Sequence, residues 1–196
     1  MPELEELRQF WNKMNLIKIT VDEFDVELDL RYVSKNNIFG RTMYKKSLCY
    51  LHENAIKHLE KSIELAKKEG YRIKIWDGFR PFETQKIFYG LNEGRKIFSN
   101  PETGEIPHCR GIAIDLTLTC DGKELNMGTD FDDITTKACH SCKNISKEEK
   151  KNRILLKKIM IESEWNYFDR EWWHYQLPNA RDYPIISNND LEEKII

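Results

Sequence analysis

Two histidines in this chain stand where carboxylates can join them. His108 lies in the run Pro107-His108-Cys109-Arg110-Gly111-Ile112-Ala113-Ile114-Asp115, seven residues ahead of Asp115. His174 closes the run Glu171-Trp172-Trp173-His174, three residues after Glu171. Two histidines and one carboxylate make a standard catalytic zinc set whose fourth position stays open for water. Zinc lowers the pKa of that water, and a nearby carboxylate that is not a ligand takes its proton. Glu171 is placed for that task. Taken alone, the residues leave a plainer alternative open. A histidine beside tryptophans is more often a satisfied core residue, and a seven-residue spacing from His to Asp arises by chance.

A third chemical feature is the corner Trp76-Asp77-Gly78-Phe79-Arg80-Pro81. Arg80 there either ties down the turn through Asp77 or serves as a fixed cation for the oxyanion formed in amide hydrolysis. Arginine suits the second role because its charge is permanent and its fork matches a pair of oxygens.

Positioning these groups falls to a mixed set of elements. His108 precedes an apolar, β-branched run, Ile112 to Thr119, expected to be a buried strand that contains Asp115. A turn at Gly111 would bring the two side chains to one point. Positions i and i+3 of a regular strand face opposite sides, so Glu171 and His174 share a site only if that segment is helical or bulged. Bulges do occur beside active sites. Alternating apolar residues from Ile17 to Tyr32 predict two strands, or one interrupted at Asp22-Glu23.

Residues 47 to 69 read as a helix through Leu48, Leu51, Ala55, Leu59, Ile63 and Ala66, capped by Ser47 and stopped by Gly70. A strand follows from Tyr71 to Trp76, and Pro81 opens a helix to about Tyr89. Ser146 and Glu149 form a capping-box pattern, with Ile154, Leu155, Ile159 and Met160 as the core face of the helix they start. Trp165–Phe168 and Trp172–Leu177 form a closing strand pair. Without strict β-α-β alternation, linker or repeat, the expectation is a single α+β domain over 196 residues.

Composition narrows the function. With 31 Lys+Arg against 33 Asp+Glu, the net charge of -2 argues against a nucleic-acid partner. The lysines around Lys147–Lys158 alternate with glutamates and read as a solvated helix face. No stretch approaches the ~20 apolar residues that span a bilayer, and the first fifteen residues, acidic and amphipathic, carry no signal-type apolar run. A cytoplasmic protein with no membrane partner is expected. The five cysteines are odd in number and so read as free thiols. Cys139-His140-Ser141-Cys142 has no second such pair for a structural zinc site, and reads as a reduced loop pair, with metal or redox use as minority readings.

Taken in order, these segments resemble the D-alanyl-D-alanine dipeptidases, a branch of the zinc D,D-peptidases. The resemblance begins at Asp29-Leu30-Arg31-Tyr32, continues with Asn37 and Phe39-Gly40, and includes the Trp76–Pro81 corner. It goes on through His108-x-x-Gly111-x-Ala113-Ile114-Asp115-Leu116-Thr117-Leu118 and Met127-Gly128-Thr129-x-Phe131-Asp132 to Glu171-Trp172-Trp173-His174-Tyr175. It implies a zinc site on a mainly antiparallel sheet flanked by helices, with one Zn2+ per chain held by His108, Asp115 and His174. Glu171 would be general base and then general acid, Arg80 would stabilise the tetrahedral transition state, and Asp132 would contact the substrate's amino group. The family's usual serine two residues before the first zinc histidine is Ile106 here, which bears on dipeptide preference. Phe79 replaces a more usual tyrosine.

The resemblance implies hydrolysis of a small D,D-dipeptide, in depletion of a cell-wall precursor, as in glycopeptide resistance, or in recycling of wall fragments. The alternatives are a D,D- or L,D-carboxypeptidase acting on peptidoglycan peptides, a non-catalytic zinc or peptide-binding protein, and a structural module organised by Cys139 and Cys142. The chain is expected to be a monomer or a homodimer.

Overall fold

The computed structural model describes residues 15–91 and 98–196; the expectation for the amphipathic N-terminal segment lies outside them, apart from Asn15. In chain order the elements are strand β1 (Leu16–Ile19), β2 (Val26–Leu28), β3 (Cys49–His52), helix α1 (Glu53–Lys68), β4 (Arg72–Asp77) and α2 (Phe82–Leu91). After them come β5 (Ala113–Cys120), β6 (Lys123–Glu124), α3 (Lys147–Glu162), β7 (Asn166–Phe168) and β8 (Glu171–Gln176). One sheet runs β2-β4-β5-β8-β7 with β6 beside β5, and β1 pairs β3 separately. Only β2–β4 is parallel among the pairs of the large sheet; the others are antiparallel. The fold is α+β, as expected.

β5 is the axis of the molecule. Every residue from Ala113 to Thr119 is buried, as its unbroken apolar and β-branched run requires of a central strand covered on both faces. Helix α1 packs on β4 and on α3, burying Ala55, Leu59, Ser62 and Ala66, a stripe at helical spacing. It stops at Gly70, whose φ of +85° is the left-handed conformation a glycine adopts cheaply. The capping box of α3 is present: the Ser146 hydroxyl accepts from Glu149 N at 3.2 Å, and Glu149 accepts from Ser146 N.

Three expectations need correction. Residues 49–52 are strand rather than helix, because Cys49 to His52 pair with Ile19 to Leu16 and are buried throughout. Leu48, Leu51 and Ala55 imitate a helical stripe while serving two elements. In consequence the cap is His52, whose Nδ1 accepts from Asn54 N, and not Ser47. On α3, Ile154 is 58% exposed and the core face is Leu156, Ile159 and Met160, with Leu155 half-buried against it as expected. At about 100° per residue Ile154 lies roughly 200° from Leu156.

Candidate active site

The sheet lines up three buried ionisable groups in one row. Asp77 on β4 is opposite Asp115 on β5, and Asp115 is opposite His174 on β8. Directly paired residues present side chains to the same face, so register alone brings Asp115 and His174 together, with His174 Nδ1 3.0 Å from Asp115 Oδ1. His108 enters from the short 3-10 turn Pro107–Arg110. Gly111 ends that turn at φ +69°, where a Cβ would meet Leu16 at 2.5 Å and the His52 nitrogen at 3.0 Å. The turn sets His108 Nε2 3.2 Å from Asp115 Oδ2 and 3.2 Å from His174 Nδ1.

Glu171 joins them through the irregularity anticipated for its segment. Phe168 pairs with Glu171 but Tyr167 pairs with Tyr175, so one step along β7 matches four along β8. The resulting bulge turns Glu171 Oε2 to within 4.0 Å of His174 Nδ1.

The donor atoms of His108, Asp115 and His174 all lie within 4.8 Å of one another, and all three residues are buried. Ligands about 2.0–2.1 Å from a tetrahedral ion are roughly 3.3 Å apart; His108 Nε2 and His174 Nδ1 are 3.2 Å apart, and they lie 3.2 and 3.0 Å from the Oδ2 and Oδ1 oxygens of Asp115 respectively. The outer ring nitrogens are already engaged: His108 Nδ1 donates to the Gly78 carbonyl at 2.7 Å, and His174 Nε2 lies 3.0 Å from Gln176 Oε1. Two imidazoles and a carboxylate with their inner atoms convergent fit a divalent metal ion.

Electrostatics sort the carboxylates by neighbour. Burial would raise Asp115, but His108 and His174 overcome it and hold the group well below the usual range. Glu171 has weaker compensation, and burial pushes it up to about 7 against the pull of His174. Asp132 is pushed well above the ordinary carboxylate range by burial, with the Tyr32 hydroxyl opposing as it donates to Oδ2 at 2.8 Å.

Arg80 is buried beneath Tyr32, Phe88 and Phe98, whose ring centres lie 5.4, 5.0 and 5.5 Å from its guanidinium carbon. Nε and Nη2 donate to Asp77 Oδ2 at 3.1 and 2.8 Å, and Nη1 donates to Gln85 at 3.0 Å. The turn-tying reading of Arg80 therefore holds, and of its five N–H donors two are left over. Its Nη2 is 3.9 Å from Asp115.

A cavity of about 790 Å³ opens over this row, and Arg80, His108, Asp115, Asp132, Glu171 and His174 all line it. The six residues named from the sequence as metal ligands, base, oxyanion cation and amine contact are thus brought to one place. Sequence reasoning passed over Asp77 as a partner in the row, Tyr32 as the support of Asp132, and Gln176. For Gln176 a signal existed, since residue i+2 on a strand shares the face of residue i. The Cys139–Cys142 pair is a tight turn of free thiols, Cys142 N donating to Cys139 O at 3.1 Å, with Cys139 on the cavity wall.

An α+β domain with a buried His/Asp/His set, a neighbouring carboxylate and an arginine at one cleft has the parts of a peptidase site. The family model described as D-ala-D-ala dipeptidase, Peptidase M15, matches residues 13–191, and the chain belongs to that family. It is 33% identical to the D-alanyl-D-alanine dipeptidase of Escherichia coli K12 over 88% of this chain and 90% of that one. The enzyme of the same name from Enterococcus faecium is 29% identical over 82% and 93% of the two chains, and that of Streptomyces coelicolor 27% over 84% and 96%.

Proposed function

We propose that this chain is a zinc-dependent dipeptidase that hydrolyses D-alanyl-D-alanine or a similar D,D-dipeptide to free amino acids. The observation that carries the reading is the convergence of His108, Asp115 and His174 with Glu171 in a cavity that Arg80 and Asp132 also line. The substrate class follows from what the relatives are called.

His108, Asp115 and His174 would hold one Zn2+ per chain, which supplies Lewis acidity to water and to the scissile carbonyl. Glu171, beside the metal ligands but outside the set, takes the proton of the attacking water and passes it to the leaving amine. Its raised proton affinity suits a group that must both accept and release a proton. Arg80, held by Asp77 and Gln85, offers its uncommitted N–H groups to the oxygen that becomes negative as the carbonyl turns tetrahedral. Asp132 binds the substrate ammonium, the charge that marks a dipeptide one residue from the bond broken, and that cation offsets the burial that otherwise raises the proton affinity of this carboxylate.

The substrate is a small molecule, and neither nucleic acid nor membrane enters the reading. No described helix is long and apolar enough to cross a bilayer, consistent with work in the cytoplasm on cell-wall peptide units. Whether the enzyme acts as monomer or homodimer does not alter the site, to which one chain brings all six residues. A cavity of about 790 Å³ is generous for a dipeptide, and its mouth exposes Ile134, Tyr167 and Phe168. That observation favours a carboxypeptidase acting on longer wall peptides as the second reading.

The test is D-alanine release from D-Ala-D-Ala, with and without a chelator, beside L-Ala-L-Ala and a pentapeptide ending in D-Ala-D-Ala. Chelator-sensitive release from the D,D-dipeptide alone is expected. Release from the pentapeptide would replace this reading with the carboxypeptidase, and zinc binding without turnover would leave a binding protein.

A further inference from the structure

The two imidazoles of the donor set are anchored by partners of different kinds. His108 gives its outer N–H to a backbone carbonyl, that of Gly78, which can only accept. The chain path therefore decides which nitrogen of His108 carries hydrogen. Among the described residues His174 has no such backbone partner. Its outer nitrogen meets the side chain of Gln176, Oε1 to Nε2 at 3.0 Å, two residues along β8.

The inner nitrogen of His174 meanwhile faces a competing acceptor. Asp115 Oδ1 lies 3.0 Å from Nδ1, so a hydrogen on Nδ1 would make a good bond to the carboxylate. A ring in that state has no lone pair at Nδ1 and is lost as a ligand. The Nε2 lone pair of His108, 3.2 Å from Nδ1, is a further acceptor on that side. Acceptors at both ends thus contend for the hydrogen of one imidazole, and the outcome decides whether the third ligand exists.

We propose that Gln176 is a positioning residue for the metal site: its amide oxygen accepts Nε2–H of His174 and keeps the Nδ1 lone pair turned toward the point shared with His108 and Asp115. The inference rests on the reading that this set binds a metal. Glutamine suits the place because it accepts without adding charge to a cleft that Asp115, Asp132, Asp133 and Glu171 already line. Outer-sphere partners of metal-bound histidines fix ring orientation and tautomer in this way, and their loss typically weakens metal binding about 10–100-fold.

The experiment titrates Zn2+ into the metal-free full chain against a chromophoric chelator, for the parent, Gln176→Met and Gln176→Glu, with melting of the metal-free proteins in parallel. Methionine keeps the length of the side chain and removes the strong acceptor; glutamate keeps an acceptor. The Met variant should bind zinc about 10–100-fold more weakly and show an altered visible spectrum with Co2+, the Glu variant should stay within about threefold of the parent, and the metal-free melting temperatures should agree. A contact of Gln176 with substrate alone would move none of these. Parental zinc affinity in the Met variant overturns the proposal, as does equal weakening in both variants or a loss matched by a lower metal-free melting temperature. A parent that binds no zinc overturns it together with the metal reading, and the parental titration tells that failure from the others.

Discussion

The cavity has two walls built in different ways. Behind the metal-type donors stands the sheet, where Asp77, Asp115 and His174 occupy one cross-strand row beside a register shift in β4, while His108 joins them from the turn Pro107–Arg110. Across the cleft, Ile106 and Asp132 sit on loops in left-handed backbone, at φ +42° and +59°. A β-branched residue there is a genuine outlier, and such strain persists only where the surroundings over-determine it. Ile106 is held by the Cys109 N–H on its carbonyl and by complete burial. The difference separates two jobs. Asp115 and His174 cannot shift without shifting their strands, so that wall suits chemistry. A loop-built wall can change residue by residue, so it suits selection among substrates.

If that division holds, the largest effects belong to the sheet wall. His174→Ala should remove zinc and activity together. Glu171→Ala, one bulge away, should lower kcat by about 10²–10⁴-fold while zinc stays near one per chain by metal analysis. Zinc lost from the Glu171 variant would make that residue a ligand, and a fully loaded, active His174 variant would remove it from the set.

The same division explains what could be read beforehand. β5, β8 and the capping box of α3 were legible because periodicity, burial and capping all point one way there. Asp115 and His174 could be named, but their pairing could not, since nothing local states which residues face each other across two strands. The bulge was foreseen only as a condition for Glu171 and His174 to meet. Residues 49–52 misled because a buried strand running straight into a helix keeps apolar residues at helical spacing. The Asp77–Arg80 tie was open to a local reading because the two are three residues apart, whereas Tyr32 stayed hidden as the support of Asp132, a partner that only the folded chain brings near.

The loop wall should give intermediate and then small effects. Asp132→Asn keeps size, tolerates the left-handed backbone and can still accept from Tyr32, but loses the charge proposed to hold the ammonium. KM for D-Ala-D-Ala should rise about tenfold or more, as loss of a charge-assisted hydrogen bond implies, with zinc affinity unchanged. An unaltered KM would place the amine elsewhere in the cavity.

Ile106→Leu should do least to the fold. Moving the branch from Cβ relieves part of the backbone strain, while repacking an isomeric side chain in a buried site costs under ~1.5 kcal/mol. The two terms oppose each other at similar size. The melting temperature should therefore stay within about 4 °C of the parent, since ~1 kcal/mol shifts a domain of this length by 2–4 °C. Zinc affinity should not move, because the swap leaves in place the Ile106 carbonyl that accepts the Cys109 N–H and, with it, the turn that presents His108. What should move is the ratio of kcat/KM between D-Ala-D-Ala and dipeptides with larger D-residues, because Ile106 shapes the cleft they enter. A variant whose selectivity is unchanged but whose zinc affinity falls would show that the loop wall supports the metal as well, and the division between the two walls would fail.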